Sequence, residues 1–521
     1  MGAAAAAGAG VSVRGADITG DLTLSAEVCV IGSGAGGAVV AKELAEAGRD
    51  VLVLEQGGHY TKEDFTQRED EMMPLLYEDM GQRATVDQSI LVLQGRNVGG
   101  STVHNLCYCF RTPEPILTLW RDKYGVRDLG GADLRPSFER VEGMLKVKPI
   151  RPDEVNALND KVRVGCERLG YSGFVTNHNR EQCTQSGFCL LGCPFDAKQS
   201  MLITYVPAAE RAGARLYADC AVRRLVAEAG RVRRVEGEVV DANGRPRHRF
   251  RVDAQVVVLC AGAINSPALL QASGLNGNGR VGSDLHLHPS VLLSGIYDED
   301  IYGYRGIPQS YYVDEFIDLE RDPESGYVLM PVYGFPVMTA TQLPGFGPAH
   351  FAMMRNYHRM VGLLVLMHDQ SSGQVDADRH GRPQITYTLD PREQRLMAEG
   401  MRHCAEILFA SGATQVLAPY ADPLLLDRGD SLDVFATRGV RQGEIPLAST
   451  HPQSTCAMGE DRRRAVVDSY GRSHEVPNLF VCDMSVFPTS LGAPPQISTA
   501  ALADRTAHWI AANWSRVAAG A

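Results

Sequence analysis

A glycine-rich turn near the N-terminus has the residue spacing of a dinucleotide-binding loop. The run from Gly32 to Gly37 (GSGAGG) fits the pattern G-x-G-x-x-G, and Glu55 follows 18 residues after Gly37. Such a turn brings a pyrophosphate against backbone N–H groups at a helix N-terminus, and an acidic residue at this distance can accept hydrogen bonds from ribose hydroxyls. A carboxylate there would repel a 2′-phosphate, which disfavours NADP. The pattern by itself suits NAD and FAD equally.

The turn lies between two apolar segments that predict a βαβ unit. Residues 27–31 and 50–54 are apolar and β-rich, and residues 38–47 between them have helical character. Two further buried runs, at 254–259 and 478–482, are each followed by Gly-, Ala- and Ser-rich turns. Continuous apolar runs of this kind are typical of a parallel sheet covered on both faces. We therefore expect an α/β fold with a three-layer, Rossmann-like domain.

This domain is predicted to be discontinuous, comprising residues 20–110, 200–290 and 450–515. The later of the two intervening stretches is rich in tyrosine and phenylalanine among prolines and glycines. We expect residues 111–199 and 291–449 to form an inserted α+β substrate-binding or cap domain, built on an antiparallel sheet. A chain of 521 residues is long enough to form two such lobes.

The bulk composition excludes several classes of protein. A net charge of -11, without a long Lys/Arg block, argues against a nucleic-acid partner. No apolar run reaches the roughly 18 residues of a transmembrane helix, and Met1–Gly10 lacks the pattern of a secretion signal. Twelve cysteines in this length are too sparse for a disulfide scaffold, so we expect reduced thiols and a cytoplasmic location. The first twenty residues are predicted to be a loose arm.

Four later segments add a family resemblance. Together with the glycine turn they resemble the signatures of the glucose-methanol-choline (GMC) flavoprotein oxidoreductases, and look most similar to the cholesterol oxidase and long-chain alcohol oxidase branch. The resemblance implies FAD as cofactor and hydride removal from an alcohol or a carbonyl-adjacent C–H bond. It implies an apolar substrate, steroid-, lipid- or natural-product-like, with oxygen or an electron carrier as acceptor. The segments are Gly95–Asn105, Gly262–Leu275, His451–Gly459 and Val481–Pro488.

Matching by motif position implies which residues contact the cofactor. A glycine pair lets the main chain touch a planar ring, and an asparagine offers both a donor and an acceptor. Val222 would meet the adenine through its backbone, and Asp483 would lie near the ribityl chain. The expected cofactor-binding residues are Gly32, Gly34, Gly37, Glu55, Gly99, Gly100, Ser101, Thr102, Asn105, Val222, Ala261, Asp483, Pro495 and Gln496.

The same resemblance implies His451 as the catalytic acid/base. A neutral imidazole suits this task because its ordinary pKa is near 6.5. The family usually has Asn or His immediately before a proline in its last motif, where this chain has Pro494, which offers no polar side chain and no N–H. Either Gln496, His104 or a bound water takes over, or the reaction differs. The alternative is a redox-neutral lyase or isomerase in which His451 transfers protons alone.

Two groups of metal-ligating side chains also occur. The spacing Cys183-x5-Cys189-x3-Cys193-Pro194 hints at an iron–sulfur or zinc site, but no fourth cysteine follows closely. Similar Gly-Cys-Pro segments occur in the long-chain alcohol oxidase branch, so we favour a structural loop near the flavin and predict no metal. His286 and His288 alternate, which would place both on one face of a strand, where packing or an active-site wall is favoured over zinc.

Overall fold

The computed structural model describes residues 12–519, so the expectation about Met1–Gly10 lies outside the described residues. The described chain forms two large sheets and several small ones. In chain order the strands are β1 (Ser12–Val13), β2 (Leu22–Ile31), β3 (Val51–Leu54), β4 (Ile90–Val92), β5 (Val147–Pro149), β6 (Phe174–Val175), β7 (Asn177–Asn179), β8 (Arg215–Tyr217), β9 (Cys220–Glu228), β10 (Arg231–Val240), β11 (Pro246–Leu259), β12 (Ser283–Leu285), β13 (Ser290–Ile296), β14 (Tyr311–Tyr312), β15 (Tyr327–Val332), β16 (Met360–Met367), β17 (Gly373–Ala377), β18 (Pro383–Thr386), β19 (Gln415–Ala418), β20 (Leu424–Asp427), β21 (Leu447–Ser449) and β22 (Leu479–Val481).

The helices pack on the faces of these sheets. Local signals set several of their ends: the Asp390 side chain caps the longest helix by accepting from the Glu393 N–H, and Gly125 and Gly170 end two others in the left-handed conformation. In chain order the helices are α1 (Gly37–Glu46), α2 (Glu69–Leu76), α3 (Glu114–Tyr124), α4 (Gly131–Met144), α5 (Ala157–Leu169), α6 (Tyr205–Arg211), α7 (Gly262–Ala272), α8 (Pro336–Gln342), α9 (Gly347–Met354), α10 (Pro391–Ala410), α11 (Val434–Arg438), α12 (Gln496–Ala512) and α13 (Trp514–Ala519).

The first large sheet has the strand order β1-β8-β3-β2-β11-β10-β9, with β22 also paired to β11. Its pairs are parallel from β1 to β11 and at β22, whereas β11, β10 and β9 are antiparallel. The inner half of β2, Val28–Ile31, is buried, because α1 and its neighbours α6 and α12 cover one face. This is the Rossmann-like sheet that the apolar runs predicted.

The second large sheet is mainly antiparallel, with the order β15-β16-β13-β19-β20, and α10 packs across it. Strand β21 pairs with β13 and, in parallel, with β4. Because β21 ends two residues before His451, this sheet places that histidine at its edge. None of the described helices is long and apolar enough to cross a membrane.

Several predicted boundaries needed correction. The expected loose arm includes strand β1, which pairs with β8. Strand β11 begins at Pro246 and is longer than predicted because its first half alternates between exposed and buried residues as a hairpin with β10. His286 and His288 do not share a strand face, since His288 has φ +49°.

Candidate active site

The glycine turn joins β2 to α1 with very little space around its ends. A Cβ on Gly32 would lie 2.3 Å from the carbonyl oxygen of Cys260, and one on Gly37 would lie 1.9 Å from the Gly32 oxygen. Gly34 differs, because a Cβ there would meet only the Gly100 Cα, at 3.9 Å. Packing therefore requires glycine at Gly32 and Gly37, whereas Gly34 borders open space at the N-terminus of α1.

Glu55 lies buried at the end of β3 and holds the turn in place. Its Oε2 accepts hydrogen bonds from the Ser33 N–H (3.0 Å) and Oγ (2.7 Å), and its Oε1 accepts from the Gly57 N–H (2.8 Å). Burial raises the pKa of Glu55, and these hydrogen bonds oppose the rise. A carboxylate has about four acceptor positions, so one stays available for a ribose hydroxyl.

A second glycine segment, Gly99–Asn105, lies directly against the turn. The Gly99 N–H donates to Ser33 Oγ (3.0 Å), and a Cβ on Gly100 would lie 2.9 Å from the Gly34 Cα. Within the segment, Ser101 Oγ accepts from the Gly95 N–H (2.9 Å), and Thr102 Oγ1 donates to the Gly99 oxygen (2.6 Å). Two glycine-rich segments that are far apart in sequence thus form one surface of main-chain atoms, which we call the glycine cradle.

The side chains of Asn105 and Gln496 meet beside this cradle. Asn105 Oδ1 accepts from the Cys107 N–H (3.2 Å), so its Nδ2 is the donor to Gln496 Oε1. This fixes both amide orientations and leaves Gln496 Nε2 buried with no partner in the part of the chain that the structure describes. Among the same described residues, the Asn97 Oδ1 and His104 Nε2 atoms also have no partner.

These orphaned atoms allow a test of whether a flavin dinucleotide fits. Buried polar atoms are normally paired, and these three belong to or contact the segment Gly95–Asn105, where a bound ligand would pair them. A flavin ring carries carbonyl and amide groups that match the donor of Gln496 and the acceptor of Asn97. The open side of Gly34 and its position at the N-terminus of α1 match a pyrophosphate. The residues present therefore fit the cofactor.

The remaining predicted cofactor residues lie at or near the same end of the parallel strands. Ala261 and Asp483 directly follow β11 and the segment of β22, and Asp483 Oδ2 accepts from Ser266 Oγ at 2.5 Å. Pro495 immediately precedes α12, and Val222 lies on the edge strand β9. Ligands of open α/β sheets bind at the carboxyl ends of the strands, which is where most of this set converges.

His451 forms a pair with His288, a residue 163 positions away. The two Nδ1 atoms lie 3.2 Å apart, and the rings meet edge to face with centroids 5.3 Å apart. His288 Nε2 accepts a hydrogen bond from the Gly492 N–H at 3.2 Å. In residues 12–519, the opposite nitrogen of His451, Nε2, has no hydrogen-bond partner. The free edge of His451 is therefore the edge that faces away from His288.

This chain of hydrogen bonds assigns the histidine tautomers. A backbone N–H can only donate, so His288 Nε2 must be the acceptor from Gly492. Neutral His288 then carries its hydrogen on Nδ1 and donates it to Nδ1 of His451. Neutral His451 consequently carries its own hydrogen on Nε2. In the resting site His451 presents an N–H donor at its free edge.

Asp369, the second residue after β16, holds His288 in position. Its Oδ1 accepts from the His288 N–H (3.1 Å) and Ser490 Oγ (2.8 Å), and its Oδ2 accepts from the Leu287 N–H (2.8 Å) and the Tyr387 hydroxyl (2.7 Å). His286 Nδ1 lies 3.6 Å from the same Oδ2. We call Asp369, His286, His288 and His451 the histidine layer.

The pKa values of the four members of the histidine layer shift in different directions. Burial lowers the pKa of His451 to about 4 and that of His288 well below its ordinary value, so both are neutral at pH 7. Burial is the largest single influence on Asp369 and His286 and disfavours their charged forms, but the hydrogen bonds and charges around each group together outweigh it. The pKa of Asp369 is therefore lowered and that of His286 raised. The ion pair of Asp369 and His286 thus supports a pair of neutral imidazoles, His288 and His451.

Comparison with known proteins identifies the family. The family models described as GMC oxidoreductase match residues 73–290 and 369–503, and a Rossmann-like NAD(P)-binding model matches residues 30–70. A GMC-type oxidoreductase of Mycobacterium tuberculosis (strain H37Rv), described as uncharacterized, is 32% identical over 488 residues, covering 92% of this chain and 74% of that protein. This chain belongs to the GMC oxidoreductases. As a member of the family it is an FAD-dependent oxidoreductase.

Other relatives of this GMC oxidoreductase agree. An uncharacterized GMC-type protein of Sinorhizobium fredii is 30% identical, with 96% of this chain and 98% of that protein covered. A long-chain-alcohol oxidase of Arabidopsis thaliana is 28% identical, with 92% and 66% covered. Among solved structures, formate oxidase of Aspergillus oryzae has a TM-score of 0.71 at 16% identity, covering 95% of this chain and 99% of that chain. Pyridoxine 4-oxidase has a TM-score of 0.68 at 19% identity, covering 93% and 99%.

The last motif of this GMC oxidoreductase departs from the family at Pro494, and the structure shows what the segment contributes. Pro494 is buried, while Gly492 supplies the N–H that orients His288. Gly492 has φ +71°, and a Cβ there would lie 2.8 Å from His368 Nδ1. A glycine is therefore required at this position by both conformation and space.

Sequence reasoning missed Asp369, Tyr387 and Ser490 altogether. One signal was present for Asp369: the apolar run of β16 ends in His368-Asp369, and polar residues directly after a buried strand often face a site. Nothing in the local sequence links that position to His288 or to His451. His288, Asp369 and His451 meet only because the strands next to them, β13, β16 and β21, are neighbours in the antiparallel sheet.

Proposed function

We propose that this protein removes hydride from an alcohol or a carbonyl-adjacent C–H bond of an apolar substrate, with His451 as the acid/base residue. The observation that carries the proposal is the pair of buried His288 and half-buried His451, whose free nitrogen is an N–H donor with no hydrogen-bond partner among residues 12–519. Alcohol oxidation needs an imidazole at the substrate oxygen that can take up the hydroxyl proton while hydride leaves the neighbouring carbon. When bound, FAD supplies the acceptor for that hydride.

The cofactor would be held by the glycine cradle together with Glu55, Asn105, Asp483 and Gln496. Main-chain N–H groups at the α1 N-terminus stabilise the pyrophosphate, and the donor Gln496 Nε2 serves a ring carbonyl. We assign residues 20–110, 200–290 and 450–515 to the FAD-binding domain, and residues 111–199 and 291–449 to the substrate-binding domain. In support of this division, the strands of each large sheet fall in the corresponding ranges, apart from β1, which precedes residue 20, and β4, which pairs with β21 in the second sheet.

His451 would work in two tautomers. In the resting tautomer its Nε2–H donates to the substrate oxygen and positions it. In the other tautomer Nε2 has a lone pair and takes up the hydroxyl proton, while His288 accepts at Nδ1. In that tautomer His288 carries its hydrogen on Nε2, so the hydrogen bond that the Gly492 N–H donates to this atom must break. The Gly492 N–H therefore controls which form of His451 is populated.

An apolar substrate is supported by two observations. The Arabidopsis relatives are named as oxidases of long-chain alcohols. In this chain, the segment of α8 and α9 exposes large apolar side chains, with Val337 at 56%, Phe346 at 91% and Phe351 at 67% exposure. Exposed apolar patches mark sites that meet apolar ligands, proteins or membranes. Oxygen or an electron carrier would reoxidise the enzyme.

Anaerobic mixing with candidate substrates tests this proposal. A series of primary alcohols of increasing chain length, together with a sterol, is expected to bleach the flavin absorbance, with tighter half-saturation for the longer chains. The His451→Gln protein is the control and should retain the flavin but bleach far more slowly. Product formation without bleaching would replace the oxidoreductase proposal by a redox-neutral lyase or isomerase. Bleaching only by short polar alcohols would overturn the apolar substrate class.

A further inference from the structure

One buried lysine, Lys198, lies behind the segment Gly99–Asn105 that we assign to the cofactor. It is only 4% exposed, although lysine is almost never fully buried unless it is paired. The residues that follow it pack along the same segment, and the Met201 N–H donates to Thr102 Oγ1 at 3.0 Å. The acid/base chemistry proposed for His451 does not use this lysine.

The side-chain nitrogen of Lys198 is enclosed by main-chain oxygens. It donates to the oxygens of Val103 (2.9 Å), Asn105 (2.6 Å) and Cys189 (2.7 Å). Three acceptors need three hydrogens, and only the ammonium form of lysine carries three. A neutral amine would direct its lone pair at one of these oxygens. Lys198 is therefore a positive charge in the folded protein.

This charge has no carboxylate partner. Within residues 12–519, Lys198 forms no ion pair with an Asp or Glu side chain. By contrast, the buried Arg180, whose backbone pairs with that of Lys198, is matched by Glu154, with 2.6 Å between Nη2 and Oε2. Even the exposed Lys62 is paired, with Asp196 at 3.3 Å. A buried charge without a counter-ion is costly, so binding of an anionic group nearby is favoured.

Hydrogen bonds connect Lys198 with the proposed flavin contact. The Asn105 oxygen accepts from Lys198, and the Asn105 side chain donates to Gln496, whose free Nε2 we assign to a carbonyl of the flavin ring. The charge also acts across the segment. Burial, followed by the charge of Lys198, lowers the pKa of His104 to about 3. Lys198 is thus placed where its field reaches the cofactor side of the segment.

We propose that Lys198 raises the reduction potential of the bound flavin. A positive charge near the ring favours the form of the cofactor that carries more negative charge, and such charges are one way in which a protein tunes a flavin. In the protein interior this attraction is screened much less than at the surface. The inference rests on the part of the proposed function that places FAD at the glycine cradle.

The charge balance of the reaction shows why this cation favours it. Hydride brings one hydrogen nucleus and two electrons from the substrate carbon to FAD, so the ring gains one negative charge. The hydroxyl proton goes to His451, and the substrate leaves as a carbonyl compound. Lys198 exchanges no proton, because all three of its hydrogens stay bonded to main-chain oxygens. It acts as a fixed charge and not as an acid or a base.

A purely structural role is the alternative. Lys198 also joins the Cys189 loop to the cofactor segment, so its hydrogen bonds could serve only to hold the two together. Two substitutions separate these roles. Lys198→Met removes both the charge and the hydrogen bonds, whereas Lys198→Gln removes the charge but keeps two N–H donors.

Potentiometric titration of the FAD-loaded protein with redox dyes tests the proposal without any substrate. Both variants should retain FAD, and in both the equilibrium constant for two-electron reduction should fall at least about tenfold, which lowers the potential by about 30 mV. Lys62→Gln removes an exposed charge near the same loop, and its potential should match that of the wild-type protein. Unchanged potentials in both Lys198 variants, or a lowered potential in Lys198→Met alone, would overturn the electrostatic role.

A second measurement uses the wild-type protein and decides the matter even if both variants lose FAD. After chemical reduction, the near-ultraviolet spectrum of the flavin should be that of the anionic ring alone, because Lys198 disfavours protonation of the ring. The spectrum of the neutral reduced ring would refute the proposal. If the potential falls in both Lys198 variants but no substrate bleaches the flavin, the proposed substrate chemistry fails and the role of Lys198 stands.

Discussion

The glycine cradle and the histidine layer are built by opposite means, although both belong to one proposed site. The cradle uses main-chain atoms, and its close contacts involve backbone oxygens and α-carbons. The layer uses side chains held by one carboxylate, Asp369, that accepts from two backbone amides and two hydroxyls. A main-chain surface is sensitive chiefly to the size of its residues, whereas a side-chain network is sensitive to every donor and acceptor. The two regions should therefore fail differently when mutated.

The largest expected effect tests the layer at its reactive end. His451→Gln should lower kcat by about 100- to 10,000-fold, because it removes the acid/base group while leaving the cradle intact. FAD content and the flavin spectrum should be unchanged. Steady-state rates, normalised to bound flavin, measure this effect. The exposed His380→Gln provides the control, and a loss smaller than about tenfold in His451→Gln would remove that residue from the chemistry.

Asp369→Asn tests the support of the layer. The neutral amide cannot balance the positive charge of His286. Its NH2 group would also face a hydrogen-bond donor, such as the Ser490 hydroxyl, from which the carboxylate accepts. We expect a loss of about 3 kcal/mol in the free energy of unfolding, as is typical for breaking a buried charge pair. Denaturant titration of the holoprotein measures it. Asp376→Asn, at an exposed position of β17, is the matched control, and equal stability of the two variants would contradict the role of Asp369.

Gly34→Ala tests the cradle without disturbing its packing. The new methyl group meets only Gly100, at 3.9 Å, so the protein itself can accommodate it. The same methyl group would occupy the space that the pyrophosphate needs. FAD should bind at least about tenfold more weakly, which is about 1.4 kcal/mol, while circular dichroism stays unchanged. Gly20→Ala, where a Cβ also meets nothing within 4 Å, should retain full affinity. Normal FAD binding by Gly34→Ala would place the pyrophosphate elsewhere.

Loss of stability in acid should arise from protonation of two histidines, His451 and His368. Their pKa values lie below the value of about 6.5 expected in the unfolded chain, at about 4 for His451 and about 4 for His368. Between these two pKa values the unfolded chain binds more protons than the folded protein. The stability that these histidines contribute is therefore fully present above pH 6.5 and is lost as the pH falls toward 4. Each histidine contributes a slope of up to about 1.4 kcal/mol per pH unit. Unfolding titrations across this range measure the slope, which His451→Gln should reduce. A slope that this variant does not change would mean that His451 titrates normally.

The smallest expected effect concerns the departure at Pro494. Pro494→Asn adds the polar side chain that the family usually has there, and one hydrogen bond to the substrate oxygen is worth about 1 kcal/mol. Alcohol turnover should therefore rise about fivefold. Pro494→Ala removes the ring without adding a polar group and serves as the control. An unchanged rate in Pro494→Asn would count against a substrate contact at this position.

The cradle was largely predictable from the sequence because its physics is local. A turn between a strand and a helix needs glycines at fixed offsets, and the acid that supports it lies at the end of the next strand, so Gly32 to Gly37 and Glu55 could be recognised together. The Rossmann-like sheet was predictable for the same reason, since each of its buried strands is an uninterrupted apolar run. The cofactor roles of individual residues, like the catalytic role of His451, remain predictions.

The histidine layer was decided by the tertiary structure alone. His288, Asp369 and His451 belong to segments joined by a shared antiparallel sheet, and strand pairing across more than 80 residues leaves no periodic signal in the chain. The sequence thus determined the sites whose geometry is set by neighbouring residues. Sites that depend on side chains meeting across strands became visible only when the sheets were assembled, because hydrogen bonding between strands, and not sequence proximity, places those side chains together.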